Sequence, residues 1–231
     1  KGPVLNPVEM AVADAAQVEK VLKSIPGYAP LFAKAFGGEK DSAVTFDNMA
    51  KAIGAFERTL VTPSKFDAYL GGDEKALSDA EKKGLQAFIN AGCVSCHLGE
   101  GIGGSMYQKL GLVAPVPGLK DTGRFEVTKK DADKFFFRVP SLRNVAKKPS
   151  EDFVKAYLHN GTFKSLEEVV HFYNVRSVRP DEFDPPDVQA NVNTDELGDL
   201  GLTEDEEADL IAFLKTLSDG YHVPRTARSR D

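Results

Sequence analysis

The stretch AGCVSCHLGEGIGG, residues 91–104, constrains this chain more than any other. Cys93 and Cys96 are its only cysteines, and His97 follows the second directly. Two thiols at this spacing, with a histidine next to them, suit covalent capture of a haem. The thiols add across the vinyl groups, and the imidazole is then placed to reach the iron. Rival readings fit less well. A structural zinc site wants four ligands, and there is no second cysteine pair. A thioredoxin-type dithiol wants a strand–helix–strand setting, which the sequence does not show.

The rest of the chain reads as helices joined by long loops, with no convincing run of alternating strand character. The expected fold is therefore all-α, a c-type cytochrome fold with long loops. In NPVEMAVADAAQVEKVLKS, Asn6 is the expected N-cap, Pro7 takes the first turn, and Glu9 falls at the third helical position. Pro26 and Gly27 end that helix. YAPLFAKAF is a short helix, and TFDNMAKAIGAFERTLV places Phe46, Met49, Ile53, Phe56 and Leu60 on one face. Ser78 with Glu81, and Thr203 with Glu206, form capping boxes. Further helices are expected near residues 150–159, 165–174 and 203–217. Leu85 and Phe88, just ahead of the cysteines, are expected to meet Leu210, Phe213 and Leu217. Residues 98–149 are rich in glycine and proline and too long for an ordinary connection; a haem that must be covered explains such a segment.

Charge narrows the partners. The formal net charge is −6, without a basic stripe, which argues against nucleic acid. No apolar run approaches the roughly 18 residues of a membrane span. The acidic stretch DELGDLGLTEDEEADL can attract a basic redox partner, although most acidic runs are simply solvated faces. The residues of this chain do not suggest a secretory leader, and because the first is Lys1 rather than Met, an upstream segment is expected to have been removed.

Methionine, histidine and tyrosine are the candidates for the far side of the iron. Met10 and Met49 fall in helices and read as core. Met106 follows His97 by only nine residues, a short span in which to reach the opposite face. In SLEEVVHFYNV, Leu166, Val169, Val170 and Tyr173 share one helical face. His171 lies on the other side, beside Glu167, and reads as a solvated surface histidine. Tyr173 points inward, either as a core tyrosine with its hydroxyl satisfied or as an iron ligand.

Five stretches carry a wider resemblance: GPVLNPVEM, GCVSCHLGEGIGGSMYQKLGL, FFFRVPSLRNVA, AYLHNGTFKSLEEVVHFYN and LGLTEDEEADLIAFLKTLS. In this order, over nearly all of residues 2–218, the chain resembles the bacterial di-haem cytochrome c peroxidases and their MauG-like relatives. The resemblance implies two haems, the first on a motif ahead of GPVLNPVEM. Residues 1–63 are then the remainder of the N-terminal peroxidatic haem domain, 64–225 the C-terminal c-type cytochrome domain with the second haem, and 226–231 a tail. The family's tryptophan between the haems would also lie upstream, and this chain has none.

The resemblance also assigns roles. Glu9 is implied as the acid–base catalyst over the peroxidatic haem, against a plain helix-capping role. Tyr173 stands fourteen residues after His159, where the peroxidases carry a methionine ligand and MauG-like members a tyrosine. Tyr173 is therefore implied as the sixth ligand, with Met106 or an open, water-bound position as alternatives. Arg138 is implied to pair with haem propionates, against an ordinary surface ion pair. His159 is implied to lie near the second haem, against a core histidine bonded to backbone. A Ca²⁺ between domains would use the carbonyls of Val154 and Ala156, which leave no side-chain signature.

The implied function is the electron-transfer part of a periplasmic enzyme that reduces H₂O₂ with electrons from a small donor protein, a cytochrome c or a cupredoxin. The first alternative is a MauG-like enzyme oxidising a protein or other large substrate through high-valent haem iron. The second is a mono-haem electron carrier. A homodimer is the assembly the resemblance leaves open.

Overall fold

In the computed structural model the structure describes residues 1–109, 121–186, 189 and 192–220. The tail expected at 226–231, and residues 110–120 of the long segment, lie outside the described residues. The chain divides into two compact units, Lys1–Val61 and Thr62–Asp231.

The first unit holds α1 (Gly2–Leu5), α2 (Ala15–Lys23), α3 (Tyr28–Phe36) and α4 (Phe46–Glu57). The helix expected to start at Asn6 does not. Asn6 instead ends α1, and its side chain accepts from Val8 N in a turn. The cap that wins is Asp14, whose carboxylate accepts from Gln17 N at 2.7 Å. Glu9 is thus in an exposed turn and caps nothing by helical position. Phe32, Ala43 and Val44 form a small core, with Leu22, Ala29 and Met49 packed on it. Glu19 ties α2 to α4 by accepting from Phe46 N at 2.9 Å. Only part of the predicted α4 face is covered within this unit: Phe46 is buried, whereas Ile53, Phe56 and Leu60 are exposed, as are Val8, Met10 and Leu31.

The second unit contains α5 (Lys65–Leu70), α6 (Asp79–Asn90), α7 (Phe125–Thr128), α8 (Leu166–Val175) and α9 (Glu204–Lys215). Its centre is the packing of α6 on α9. Phe88, Leu210, Phe213, Leu214 and Leu217 are buried together, and Leu85 packs against them. Gly84 allows the approach, because a Cβ there would lie 1.8 Å from the Asp209 carbonyl oxygen. Both expected capping boxes form, and two more appear, Ser64 with Asp67 and Ser165 with Glu168.

In this unit two expectations are overturned. No helix forms over 150–159. That stretch is irregular, anchored by Lys155 Nζ donating to the carbonyls of Asn144 (2.8 Å) and Lys147 (3.1 Å), and by a bridge from Tyr157 to Phe163. The long segment also contains strands, β1 (Tyr107–Lys109) and β2 (Phe136–Arg138), antiparallel with Gln108 opposite Phe137. Three residues are too few to show an alternating pattern.

Candidate haem site

α6 delivers the chain to the two thiols. It stops at Ala91, Gly92 takes a left-handed conformation, and Cys93–Ser95 form one tight turn. His97 N donates to Cys93 O at 3.0 Å, closing the turn over the motif. The cysteines are free and half-buried, and burial pushes the Cys93 thiol up to about 11.

His97 is held by its backbone surroundings. Its Nδ1 lies 3.2 Å from the Ile102 carbonyl oxygen. That contact suits an Nδ1–H donor and leaves Nε2 as the free ligand atom. Burial lowers the pKa of His97, favouring the neutral imidazole that a metal needs. Ile102 presents its carbonyl at φ +48, an unusual conformation for a β-branched residue. Gly103 follows at φ +126, where a Cβ would lie 2.0 Å from the Pro140 carbonyl oxygen and 3.0 Å from His97 Nδ1.

Tyr173 comes from α8, whose first turn is set by the Ser165–Glu168 box. Its ring packs on Phe172 at 5.8 Å between centroids, and Phe172 is itself fully buried beside Phe163 and Phe183. Burial raises the Tyr173 phenol to about 12, against a smaller downward pull from the Arg176 charge.

Cys93, Cys96, His97 and Tyr173 all line one cavity of about 590 Å³, walled by Leu142, Val145, Val170 and Leu214 among others. Two thiols, a neutral imidazole and a phenol around an apolar chamber form a donor set that fits a covalently attached haem. Arg138 also lines the cavity and is exposed, with Nε donating to the Gly104 carbonyl at 2.7 Å. His159 lines it too, stacked on Phe137 at 4.0 Å. Met106 is not among the lining residues. Ala156 lines the cavity, whereas Val154 is exposed at the surface. Glu9 belongs to the first unit and is exposed there.

Sequence reasoning missed several neighbours. His171 is not a free surface group paired with Glu167. Its Nδ1 lies 3.2 Å from Glu207 and its Nε2 3.1 Å from Glu182, carboxylates from outside its own helix. Lys155 and Arg143 line the cavity as well, and Arg143 pairs with Asp67 through two hydrogen bonds of 2.8 and 2.9 Å. The partners stand 76 residues apart, so only the fold could reveal them.

Known proteins resemble the chain along most of its length. Residues 1–75 match the family described as di-haem cytochrome c peroxidase, and residues 81–218 match cytochrome c. The chain is 41% identical over 223 residues to the cytochrome c551 peroxidase of Pseudomonas aeruginosa, covering 94% of this chain and 56% of that protein. It is 33% identical to the methylamine utilization protein MauG of Methylorubrum extorquens, covering 93% of this chain and 56% of that one. A solved MauG-like protein associated with microbial copper homeostasis superposes with a TM-score of 0.74 at 29% identity, covering 94% of this chain and 67% of that chain. The chain therefore spans about half the length of the curated relatives it matches.

Proposed function

We propose, because this chain belongs to the di-haem cytochrome c peroxidase family, that its second unit carries one haem c and is the electron-transfer part of an enzyme reducing H₂O₂ in the periplasm. The observation that carries this reading is the meeting of Cys93, Cys96, His97 and Tyr173 in one cavity. Bound there, the haem supplies an iron that takes up and releases single electrons. Cys93 and Cys96 fix it through thioether bonds. Ile102 O orients the His97 ring so that Nε2 would be the atom offered to the iron. Tyr173 would hold the iron through its hydroxyl oxygen, and Arg138 would pair with the propionates.

The remaining roles belong to the whole enzyme. Residues 1–63 would contribute to a peroxidatic domain with a second haem, where Glu9 would be the acid–base group. The exposed apolar side chains of Val8, Met10, Leu31 and Phe56 support this, since burial in a larger domain would cover them. Electrons come from a cytochrome c or cupredoxin. The carbonyls of Val154 and Ala156 are the candidates for a Ca²⁺ site, and a homodimer is the assembly left open. Among the described residues no helix is long and apolar enough to cross a membrane.

Tyr173 favours a second reading. A phenolate is a hard anion that stabilises ferric iron, whereas a thioether stabilises ferrous iron and suits ordinary donors. With the likeness to MauG, a tyrosine at this position supports an enzyme that oxidises a protein or other large substrate.

Three measurements test these readings. Intact mass and a haem count should give one covalently bound haem on this chain, lost when Cys93 and Cys96 become serine. Tyr173→Phe should change the ferric spectrum; an unchanged spectrum removes Tyr173 as ligand. In the complete enzyme, peroxide-dependent oxidation of a reduced small cytochrome supports the peroxidase reading. Its absence, with a protein substrate oxidised instead, supports the MauG-like one.

A further inference from the structure

We propose that Arg176 is a positioning residue of the haem site, a buried fixed cation that offsets the negative charge Tyr173 brings to the iron and so holds the reduction potential up. This rests on the reading of Tyr173 as an axial ligand. Arg176 is the C-cap of α8, three residues beyond Tyr173, which makes the two neighbours on the helix surface. Only 9% of Arg176 is exposed, an unusual state for a group that cannot shed its charge.

Its guanidinium has a defined seat. It lies over the Phe172 ring at 5.2 Å from the centroid, and that ring packs against Tyr173. Nη2 donates to the carbonyls of Asn193 and Leu197, the latter at 3.2 Å. Asn193 and Leu197 line the same cavity as Tyr173. Arg176 therefore stands between the ligand's helix and one wall of the chamber. The carboxylates of that wall segment, Asp195 and Glu196, are both exposed, and Glu196 accepts from Gln108 at 3.0 Å and Asn193 at 2.8 Å. The mutual attraction of Arg176 and Tyr173 also opposes the effect of burial on each.

The consequence is electrostatic. When ferric iron gains one electron, the site becomes more negative by one charge. A fixed positive charge in a low-dielectric setting favours that reduced state, and a phenolate ligand opposes it. Arg176 thus moderates the potential that a bare tyrosinate would set. Removing its charge while the ligand stays should lower the potential.

The test is a mediated redox titration, with ferric spectra, of the haem-loaded full chain. Arg176→Gln keeps an amide donor but removes the charge. It should retain the tyrosine-ligated ferric spectrum and shift the ferric/ferrous equilibrium about tenfold toward ferric, roughly 59 mV lower for one electron. Arg176→Lys should restore most of that shift. A shift below about threefold, an equal shift in Arg176→Lys, or loss of the tyrosine-ligated spectrum in folded Arg176→Gln overturns the proposal. If Arg176→Gln does not fold, Arg176→His serves. Its potential should rise relative to wild type as the imidazole gains a proton, and a constant difference across that range overturns the proposal. Tyr173→Phe separates the two claims. An unchanged ferric spectrum there refutes the ligand reading and this one with it. A changed spectrum, with no shift in Arg176→Gln, refutes this one alone.

Discussion

Replacing Gly84 by alanine sets two effects against each other. Alanine is a better helix former than glycine by about 1 kcal/mol, so α6 taken alone should gain. The structure predicts the opposite for the protein. The added Cβ would sit 1.8 Å from the Asp209 carbonyl oxygen and 2.8 Å from the Phe213 Cβ, where ordinary contact begins at 3.4 Å. The obstructing atom is backbone, so no rotamer change relieves it, and α9 must retreat by roughly 1.6 Å. Overpacking of this kind costs about 1–3 kcal/mol. Here it also loosens the burial of Phe88, Leu210, Phe213 and Leu214, which places the loss at or beyond the upper end. After subtracting the propensity gain, a net destabilisation of about 2 kcal/mol is expected. For a unit of this size that lowers Tm by roughly 4–8 °C. Thermal unfolding of the haem-loaded chain by circular dichroism measures it. Because Leu210 and Leu214 also line the cavity, the ferric absorption spectrum should shift in the same sample. An unchanged or higher Tm would refute the claim that α6 and α9 touch at Gly84.

Other consequences follow from single contacts. The Arg143 guanidinium holds the Asp67 carboxyl well below the usual carboxylate range. A depressed folded pKa means that this stabilisation is complete above about pH 4 and is lost as pH falls through the folded value. Asp67→Asn should therefore lose about 1–3 kcal/mol at pH 7, and acid should erode its stability less than that of wild type; parallel pH–stability curves count against the pairing. Phe172→Ala empties a fully buried site beside Tyr173. It should lose about 3–5 kcal/mol in denaturant unfolding and perturb the ferric spectrum. Ser165→Ala removes one arm of the α8 capping box and should lose about 1 kcal/mol, measured as a lower urea midpoint with unchanged slope.

Much of the site was legible because its signals are short. The haem motif, the capping boxes at Ser78 and Thr203, and the inward phase of Tyr173 each need only a few adjacent residues. The box at Ser165 was equally local, and the pattern of Ser165 with Glu168 could have revealed it. The helix expected from Asn6 failed because two capping residues compete within the same ten positions. Asn6 can close a turn as readily as open a helix, and Asp14 took the start. The helix expected over 150–159 failed because Lys155 and Tyr157 direct their polar ends to carbonyls of the segment before them, an alternative that no local pattern announces.

The sequence by itself determined that this chain carries a haem-binding turn between amphipathic helices, because attachment chemistry and helical periodicity are properties of neighbouring residues. Tertiary structure decided what surrounds that turn. Only folding brings Ile102 O to His97, Arg143 to Asp67, and Arg176 against the carbonyls of Asn193 and Leu197. The cavity that Tyr173 lines likewise exists only once α6, α8 and α9 pack together. The physical reason is range: a capping box or a thioether motif acts over three or four residues. The electrostatics of a metal site depend on every charge and dipole that packing places within a few ångströms of it.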